Sequence, residues 1–177
     1  MNKHWVLAFG FLGLILGVFI AAAANVKNAD DEEGIHYHAG FQVYVDNELQ
    51  DFADLKYMKQ DPCGAKHEIT DSPELEQLEK AHLHDLNGDV VHVHRESPTW
   101  GDLFMNMPYE FPDDTHITYV NGERLESDIL DYELKANDSV VIFVGTNTNI
   151  NGKLAAAITI DRIHEVEALS EDCGSQK

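Results

Sequence analysis

The feature that most constrains the fold of this chain is a repeated spacing of histidines. Six of the ten histidines occur as three units in which one residue separates two histidines. The units are His36-Tyr37-His38, His82-Leu83-His84 and His92-Val93-His94. In a β-strand, side chains two residues apart point to the same face, and their Cα atoms lie about 6.6–7 Å apart. Each unit therefore predicts a strand with two imidazoles on one face, close enough to bind one metal ion.

The segment that begins at His36 alternates strictly between two kinds of residue. One face would carry the apolar residues Tyr37, Ala39, Phe41, Val43 and Val45. The other face would carry His36, His38, Gly40, Gln42 and Tyr44. This alternation predicts a half-buried strand. A turn at Asp46-Asn47 and a short return strand near residues 49–52 would complete a hairpin.

The second and third histidine units flank a loop, Leu86-Asn87-Gly88, in a sequence typical of a second hairpin. A two-residue loop would mix apolar and polar residues on both faces. A three-residue loop, with Gly88 in the left-handed conformation, pairs His82 with His92 and places all four histidines on one face. Because burial of one face selects the register, we predict the three-residue loop, between strands at 81–85 and 90–94.

Two helices and two further strands are predicted from local signals. An N-cap serine followed by a proline, Ser72-Pro73, starts a helix that ends near Lys80. A capping pair, Thr99 and Asp102, precedes apolar residues at helical spacing, namely Trp100, Leu103, Phe104 and Met107. Strands are predicted at 117–120 and 140–144. The tail, 154–169, is apolar at intervals, and the spacing in its first half fits either a strand or a helix.

Three segments of the second half resemble ubiquitin-like β-grasp domains. They are Tyr119-Val-Asn-Gly-Glu-Arg-Leu125, Leu130-Asp-Tyr-Glu-Leu134 and Ser139-Val-Val-Ile-Phe-Val144. They look like the third strand, the short turn segment and the last strand of ubiquitin. The resemblance covers roughly residues 80–145 and implies an α+β fold, in which one helix packs on one face of a mixed sheet and the other face is open. The strand from His36 and its return strand would then be an extra N-terminal hairpin.

The resemblance carries no implication for ubiquitin's chemistry. Gly145 is followed by Thr146, and the chain has no Gly-Gly terminus there. Neither conjugation nor sulfur carriage is therefore expected.

The first 24 residues differ from the rest of the chain. No charged residue occurs from Trp5 to Ala24, a run of 20 residues that is long enough to cross a bilayer as a helix. The run ends in Ala22-Ala23-Ala24, the small-residue pattern that signal peptidase recognises. A buried core helix is the alternative. We interpret residues 1–24 as a signal peptide or an N-terminal membrane anchor, 25–34 as an acidic linker and 35–172 as a single extracytoplasmic domain.

The chain is strongly acidic, with 32 acidic and 12 basic residues and a formal net charge of −20. Such a surface repels nucleic-acid phosphates and favours cations, although it also serves solubility alone. We therefore expect a metal ion as a partner and no nucleic acid, with the membrane as a further partner if the N-terminal segment is retained.

Two cysteines, Cys63 and Cys173, complete the candidate functional residues outside the histidine units. Outside the cytoplasm an even pair most simply forms one disulfide. Across this long loop it would contribute about 3–5 kcal/mol in the chain-entropy model. Two free thiols, or thiolate metal ligands, are the alternatives.

A shared metal site is the chemistry that the three units indicate. If the strand from His36 neighbours the hairpin, six imidazoles meet on one face: His36, His38, His82, His84, His92 and His94. Near pH 7 they are mostly neutral, which is the ligating form, and imidazole suits Zn²⁺, Cu²⁺ and Ni²⁺. Asp85, Asp89 or Glu96 would supply an oxygen ligand or accept a hydrogen bond from a ligating histidine. The other histidines of the domain, His67, His116 and His164, are expected on the surface.

Three functions are compatible with these residues. The first is a non-catalytic, exported metal-binding protein that captures, buffers, delivers or senses zinc or copper. The second is a cupin-like metalloenzyme, although Gln42 stands where that pattern has a glutamate and Glu96 follows His94 too closely. The third is a protein-interaction module in which the histidines set a pH dependence. Ordinary solvated surface is the non-functional alternative for the histidines.

Overall fold

A computed structural model of the chain describes residues 35–59, 72–113 and 115–170. The predicted leader and acidic linker lie outside the described residues, as do both cysteines of the predicted disulfide and His67. Within the described part of the chain, no helix is long and apolar enough to cross a membrane.

Six strands form one mixed sheet, which agrees with the predicted α+β class. They are β1 (Tyr37–Val45), β2 (Glu48–Leu49), β3 (Val90–Val93), β4 (His116–Val120), β5 (Glu123–Arg124) and β6 (Ser139–Val144). The strand order is β2-β1-β6-β4-β5, and β3 also pairs with β1. The β1–β6 pair is parallel and every other described pair is antiparallel.

The first strand is internal to the sheet. One edge of β1 pairs with β6, while the opposite edge pairs with β3 at its start and with β2 at its end. The prediction that this hairpin extends a sheet formed by the second half was therefore wrong. Residues on both faces of β1 are buried, for example Ala39 on one face and Tyr44 on the other. Burial on both faces is typical of a central strand rather than of an added edge.

Four helices complete the fold. They are α1 (Pro73–Lys80), α2 (Trp100–Asn106), α3 (Ile150–Leu154) and α4 (Ile160–Ser170), with single 3-10 turns at Leu55–Tyr57 and Ile129–Asp131. The Ser72 side chain accepts a hydrogen bond from the Leu75 amide, and Thr99 and Asp102 form a capping box. Both predicted helices are thus confirmed. In the first half of the tail, which fitted either structure, residues 155–159 form neither a strand nor a helix, and the second half is helical.

The main core lies between the sheet and α2. The fully buried side chains of this core include Phe41, Leu83, Trp100, Leu103, Ile129 and Ile142. The ring centroids of Phe41 and Trp100 are 5.9 Å apart. Burial of each such large apolar side chain stabilises the fold by about 1.5–3 kcal/mol.

The second face of the sheet is partly covered, and the prediction of an open face was wrong there. Tyr44, Val141 and Phe143 pack against Ile150 and Leu154 of α3, and a second cluster joins β3 to α4. Because the sheet carries large apolar side chains on this face as well, the tail covers them. A Cβ atom on Gly40 would overlap the side chain of Ile158, so the glycine permits this close approach.

The second predicted hairpin has the predicted register but a different turn. His82 and His92 exchange two backbone hydrogen bonds of 3.0 and 2.9 Å. The left-handed residues are Asp85 and Leu86, with φ of 56° and 58°, and not Gly88 as predicted. A Cβ atom on Gly88 would overlap the backbone of residues 52–53, so this glycine serves close packing. The predicted strand at 81–85 is reduced to single bridges, because its backbone bends into the turn.

Candidate metal centre

The backbone of the sheet brings the three histidine units side by side. On β1 and β3, His38 lies directly opposite His92, and on the other side of β3 His92 lies opposite His82. We call the six side chains the histidine cluster: His36, His38, His82, His84, His92 and His94. The ring centroids of the other five lie between 4.3 and 5.2 Å from that of His92. All six predicted site histidines therefore converge, with His92 at their centre.

The ring nitrogens of the cluster point at one another. His92 Nδ1 lies 2.8 Å from His38 Nε2 and 2.6 Å from His84 Nε2. His92 Nε2 lies 2.6 Å from His94 Nε2. These separations are hydrogen-bond distances between imidazoles. Zinc–nitrogen bonds of 2.0–2.1 Å at tetrahedral angles separate the nitrogens by about 3.3 Å, so the rings would move slightly apart to admit an ion between them.

The cluster is buried, contrary to the expectation of a solvated face. His38, His82, His84 and His92 are only 2–6 % exposed, whereas His36 is exposed at the rim. Four buried imidazoles in contact with one another cannot be ordinary solvated surface. The cluster therefore needs a chemical explanation, because burying polar groups is costly unless they are partnered.

Burial holds the inner histidines in the neutral form. Desolvation, together with neighbouring histidines, lowers the pKa of His38 to about 3. Desolvation, with Lys59 nearby, lowers the pKa of His82 to about 2, and desolvation also lowers the pKa of His92. Burial lowers the pKa of His94 too, and the Glu79 carboxylate opposes that shift. These imidazoles are consequently neutral at pH 7 and have lone pairs available for a metal ion.

Two histidines are oriented by oxygen acceptors outside the cluster. His82 Nδ1 lies 3.0 Å from the Leu78 carbonyl oxygen, and His84 Nδ1 lies 2.6 Å from Asp85 Oδ2. Both oxygens accept hydrogen bonds, so in both rings the proton is assigned to Nδ1 and the lone pair to Nε2. Metal-binding histidines almost always donate their second nitrogen in this way. The geometry therefore prepares His82 and His84 to ligate through Nε2.

Two groups of three histidines have ligand nitrogens near enough to share an ion. They are His36, His38 and His92, and His82, His92 and His94. Within each group the ligand atoms lie within 4.8 Å of one another. Small rotations of the rings would bring three nitrogens onto one ion, and imidazole donors suit zinc, copper and nickel.

The three predicted acidic neighbours have different surroundings. Asp85 hydrogen-bonds His84, as a residue supporting a metal ligand would. Asp89 instead forms an ion pair with Arg162, with both carboxylate oxygens at 3.1 Å from guanidinium nitrogens. Glu96 is exposed. Of the three, Asp85 is the one that the structure places against the cluster.

Two further histidines of the described residues lie outside the cluster. His164 is exposed on α4, as expected. His116 is not a surface residue: its side chain is 11 % exposed, contacts Asp128 at 3.3 Å and stacks on Phe111.

The end of α1 contributes residues that the histidine spacing did not reveal. The Leu78 carbonyl orients His82, and the backbone carbonyl of Glu79 accepts a hydrogen bond from the backbone amide of His94. The Glu79 carboxylate pairs with Lys59 beside the cluster. A helix leaves its last carbonyls without intrahelical partners, and α1 was predicted to end two residues before His82. The closeness of this helix end to His82 in the sequence could therefore have indicated that its carbonyls bond the histidines.

The chain was compared with known proteins. No family model, no curated protein and no solved structure matches it.

Proposed function

We propose that this chain is an exported metal-binding protein that captures, buffers, delivers or senses zinc or copper through its histidine cluster. The observation that carries the proposal is the orientation of His82 and His84. Each is anchored through Nδ1 to an oxygen acceptor, and His84 Nε2 lies 2.6 Å from His92 Nδ1. This anchoring leaves the Nε2 lone pair of both rings available to a metal ion.

The acidic surface and the leader support the cellular part of the proposal. A net charge of −20 concentrates cations near the site. The uncharged run from Trp5 to Ala24 supports export, either as a cleaved signal or as an anchor.

A ubiquitin-like β-grasp architecture is part of the same proposal. The order β2-β1-β6-β4-β5, with β1 parallel to β6, supports it, because it joins the first and last strands at the centre of a mixed sheet. In this arrangement β1 and β2, which follow one another in the chain, would correspond to the opening hairpin. The histidine cluster would then be an addition to the face opposite the packed helix α2.

The cupin-like alternative has less support. The described strands follow one another from β2 to β5 without closing into a barrel. The pH-responsive interaction module is a second candidate with less support, since the lowered pKa of His38 and of His82 keeps both imidazoles neutral near pH 6, where such a switch would act.

The test is the metal content of the full chain, purified without a polyhistidine tag or a nickel column. A matched variant replaces His82, His84, His92 and His94 by asparagine. We expect zinc or copper in at least equimolar amount in the parent, resistant to a moderate chelator and absent from the variant. If neither protein retains metal after equilibration with zinc and copper salts, the proposal is wrong and the pH-responsive module is favoured.

A further inference from the structure

We propose that the histidine cluster holds two metal ions and that His92 bridges them. This inference rests on the proposed metal-binding function and adds the number of ions and the ligand that joins them. Among the described residues, His92 is the one histidine that belongs to both three-histidine groups.

The two ring nitrogens of His92 face different partners. Nδ1 lies against Nε2 of His38 and of His84, while Nε2 lies against Nε2 of His94. The lone pairs of the two nitrogens of one imidazole diverge, so both cannot bind the same ion. A single ion could therefore use His92 through one nitrogen only and would leave the partners of the other nitrogen without it.

Each side of His92 has its own ligands and its own carboxylate. On the Nδ1 side, His84 is supported by Asp85. On the Nε2 side, the Glu79 carboxylate acts on His94 and also pairs with Lys59. The Asp85 carboxylate would offset part of the charge that an ion brings to the Nδ1 side, whereas the Glu79 carboxylate is already paired with Lys59.

A bridging imidazole must lose its remaining ring proton. When the second ion binds, the N–H bond of His92 breaks, its electron pair binds the metal and the proton passes to solvent. No oxidation or reduction is involved. The product is an imidazolate whose two nitrogens each bind one ion, and its negative charge further offsets the two cations.

Copper(II) is the probe that detects such a bridge. In sites of nitrogen and oxygen donors, Cu²⁺ binds more tightly than Zn²⁺, so a zinc site also accepts it. Two Cu²⁺ ions joined by an imidazolate couple antiferromagnetically. Their paramagnetic resonance signal is then weaker than that of two isolated ions.

The experiment titrates the metal-free full chain with Cu²⁺ and follows bound copper together with the resonance signal. We expect two ions per chain, nearly full signal per copper well below one equivalent and less signal per copper at two. Loading a small fraction of one equivalent of Cu²⁺ with saturating Zn²⁺ should restore nearly full signal per copper, because each bound copper then has zinc as its neighbour. Saturation at one ion, or two ions with full signal, would overturn the bridge while leaving the proposed function intact. Retention of no copper would overturn both.

Single substitutions test the two sides separately. His38→Gln and His94→Gln should each bind one ion, with full signal per copper, because each removes a member of one three-histidine group only. His164→Gln, which changes an exposed histidine on α4, should still bind two coupled ions. If His38→Gln or His94→Gln still binds two coupled ions, or if both bind none while the parent binds, the assignment of ligands to two sides is wrong. The titration of the unaltered chain remains decisive if a variant does not fold.

Discussion

The two faces of β1 and β3 differ more in chemistry than in burial. On the face toward α2, Ala39, Val91 and Val93 have no exposed surface, while on the opposite face His38 and His92 are only 2 and 3 % exposed. Burial of the apolar face stabilises the fold whether or not a ligand is bound. Burial of the imidazoles stabilises the fold only when their nitrogens have partners. The contribution of the histidine face to stability therefore depends on what its nitrogens bind.

The largest loss of stability is expected when a side chain of the apolar face is shortened. Leu83 lies between His82 and His84 and is fully buried in the main core. Leu83→Ala should lower the free energy of unfolding by about 2–5 kcal/mol, because it removes a core side chain and leaves a cavity. Denaturant unfolding of the metal-free chain measures the loss. The folded variant should bind the same number of ions, and a loss of metal stoichiometry would show that the two faces are not separable.

Metal should stabilise the histidine face by a comparable amount. Zinc at about 1,000 times its dissociation constant should add about 4 kcal/mol to the free energy of unfolding. Thermal unfolding with and without zinc measures the gain. The variant with His82, His84, His92 and His94 changed to asparagine is the control and should gain nothing. An equal gain in that variant would place the ion elsewhere.

A smaller effect is expected from acid, which should lower the stability of the metal-free chain through its buried histidines. The pKa of His38 is lowered to about 3 and that of His82 to about 2, so the folded chain binds fewer protons than the unfolded chain between those values and about 6.5. The stability that these neutral histidines allow is therefore fully present above about pH 6.5 and is lost as the pH falls. At pH 5 the loss should be about 2 kcal/mol for each of His38 and His82.

Denaturant unfolding of the metal-free chain at pH 7, 6 and 5 checks this slope. The pKa of Asp102 is lowered by its hydrogen bonds, against the effect of burial, so that carboxylate loses its contribution only at lower pH. Unchanged stability from pH 7 to 5 would contradict the burial of neutral histidines.

The sequence predicted the local features of the fold better than the long-range ones. The capping residues Ser72 and Thr99 act within one turn, so the starts of both predicted helices followed from local signals. The pairing of His82 with His92 also followed, because one-face burial selects a register. The place of β1 did not, since its parallel pairing with β6 joins segments about 100 residues apart.

The burial of the histidines was also beyond local reasoning. It depends on contacts from distant segments, including Leu78 at the end of α1. The tail was ambiguous as a pattern, and its helices became determined only by packing on Tyr44 and Val90. The histidine spacing predicted which residues meet, but their surroundings come from tertiary structure.

The smallest effect should separate two aspartates of the same loop region. Asp85→Asn should weaken metal binding about 10- to 100-fold, because an amide orients His84 less well than a carboxylate. Asp89→Asn is the matched control: its carboxylate binds Arg162, so metal affinity should be unchanged. Competition with a chromogenic chelator measures both affinities. Equal weakening in both variants would indicate a general charge effect instead of a specific hydrogen bond.

The most direct measurement of the central claim is X-ray absorption at the metal edge of the zinc-loaded full chain. The account predicts a first shell of nitrogen atoms at about 2.0–2.1 Å with the outer-shell scattering of several imidazole rings. That pattern should disappear when His82, His84, His92 and His94 are changed to asparagine. A shell containing sulfur at about 2.3 Å would place zinc at the cysteines, and a shell of oxygen alone would place it on the acidic surface. Either result would contradict the histidine cluster as the metal centre.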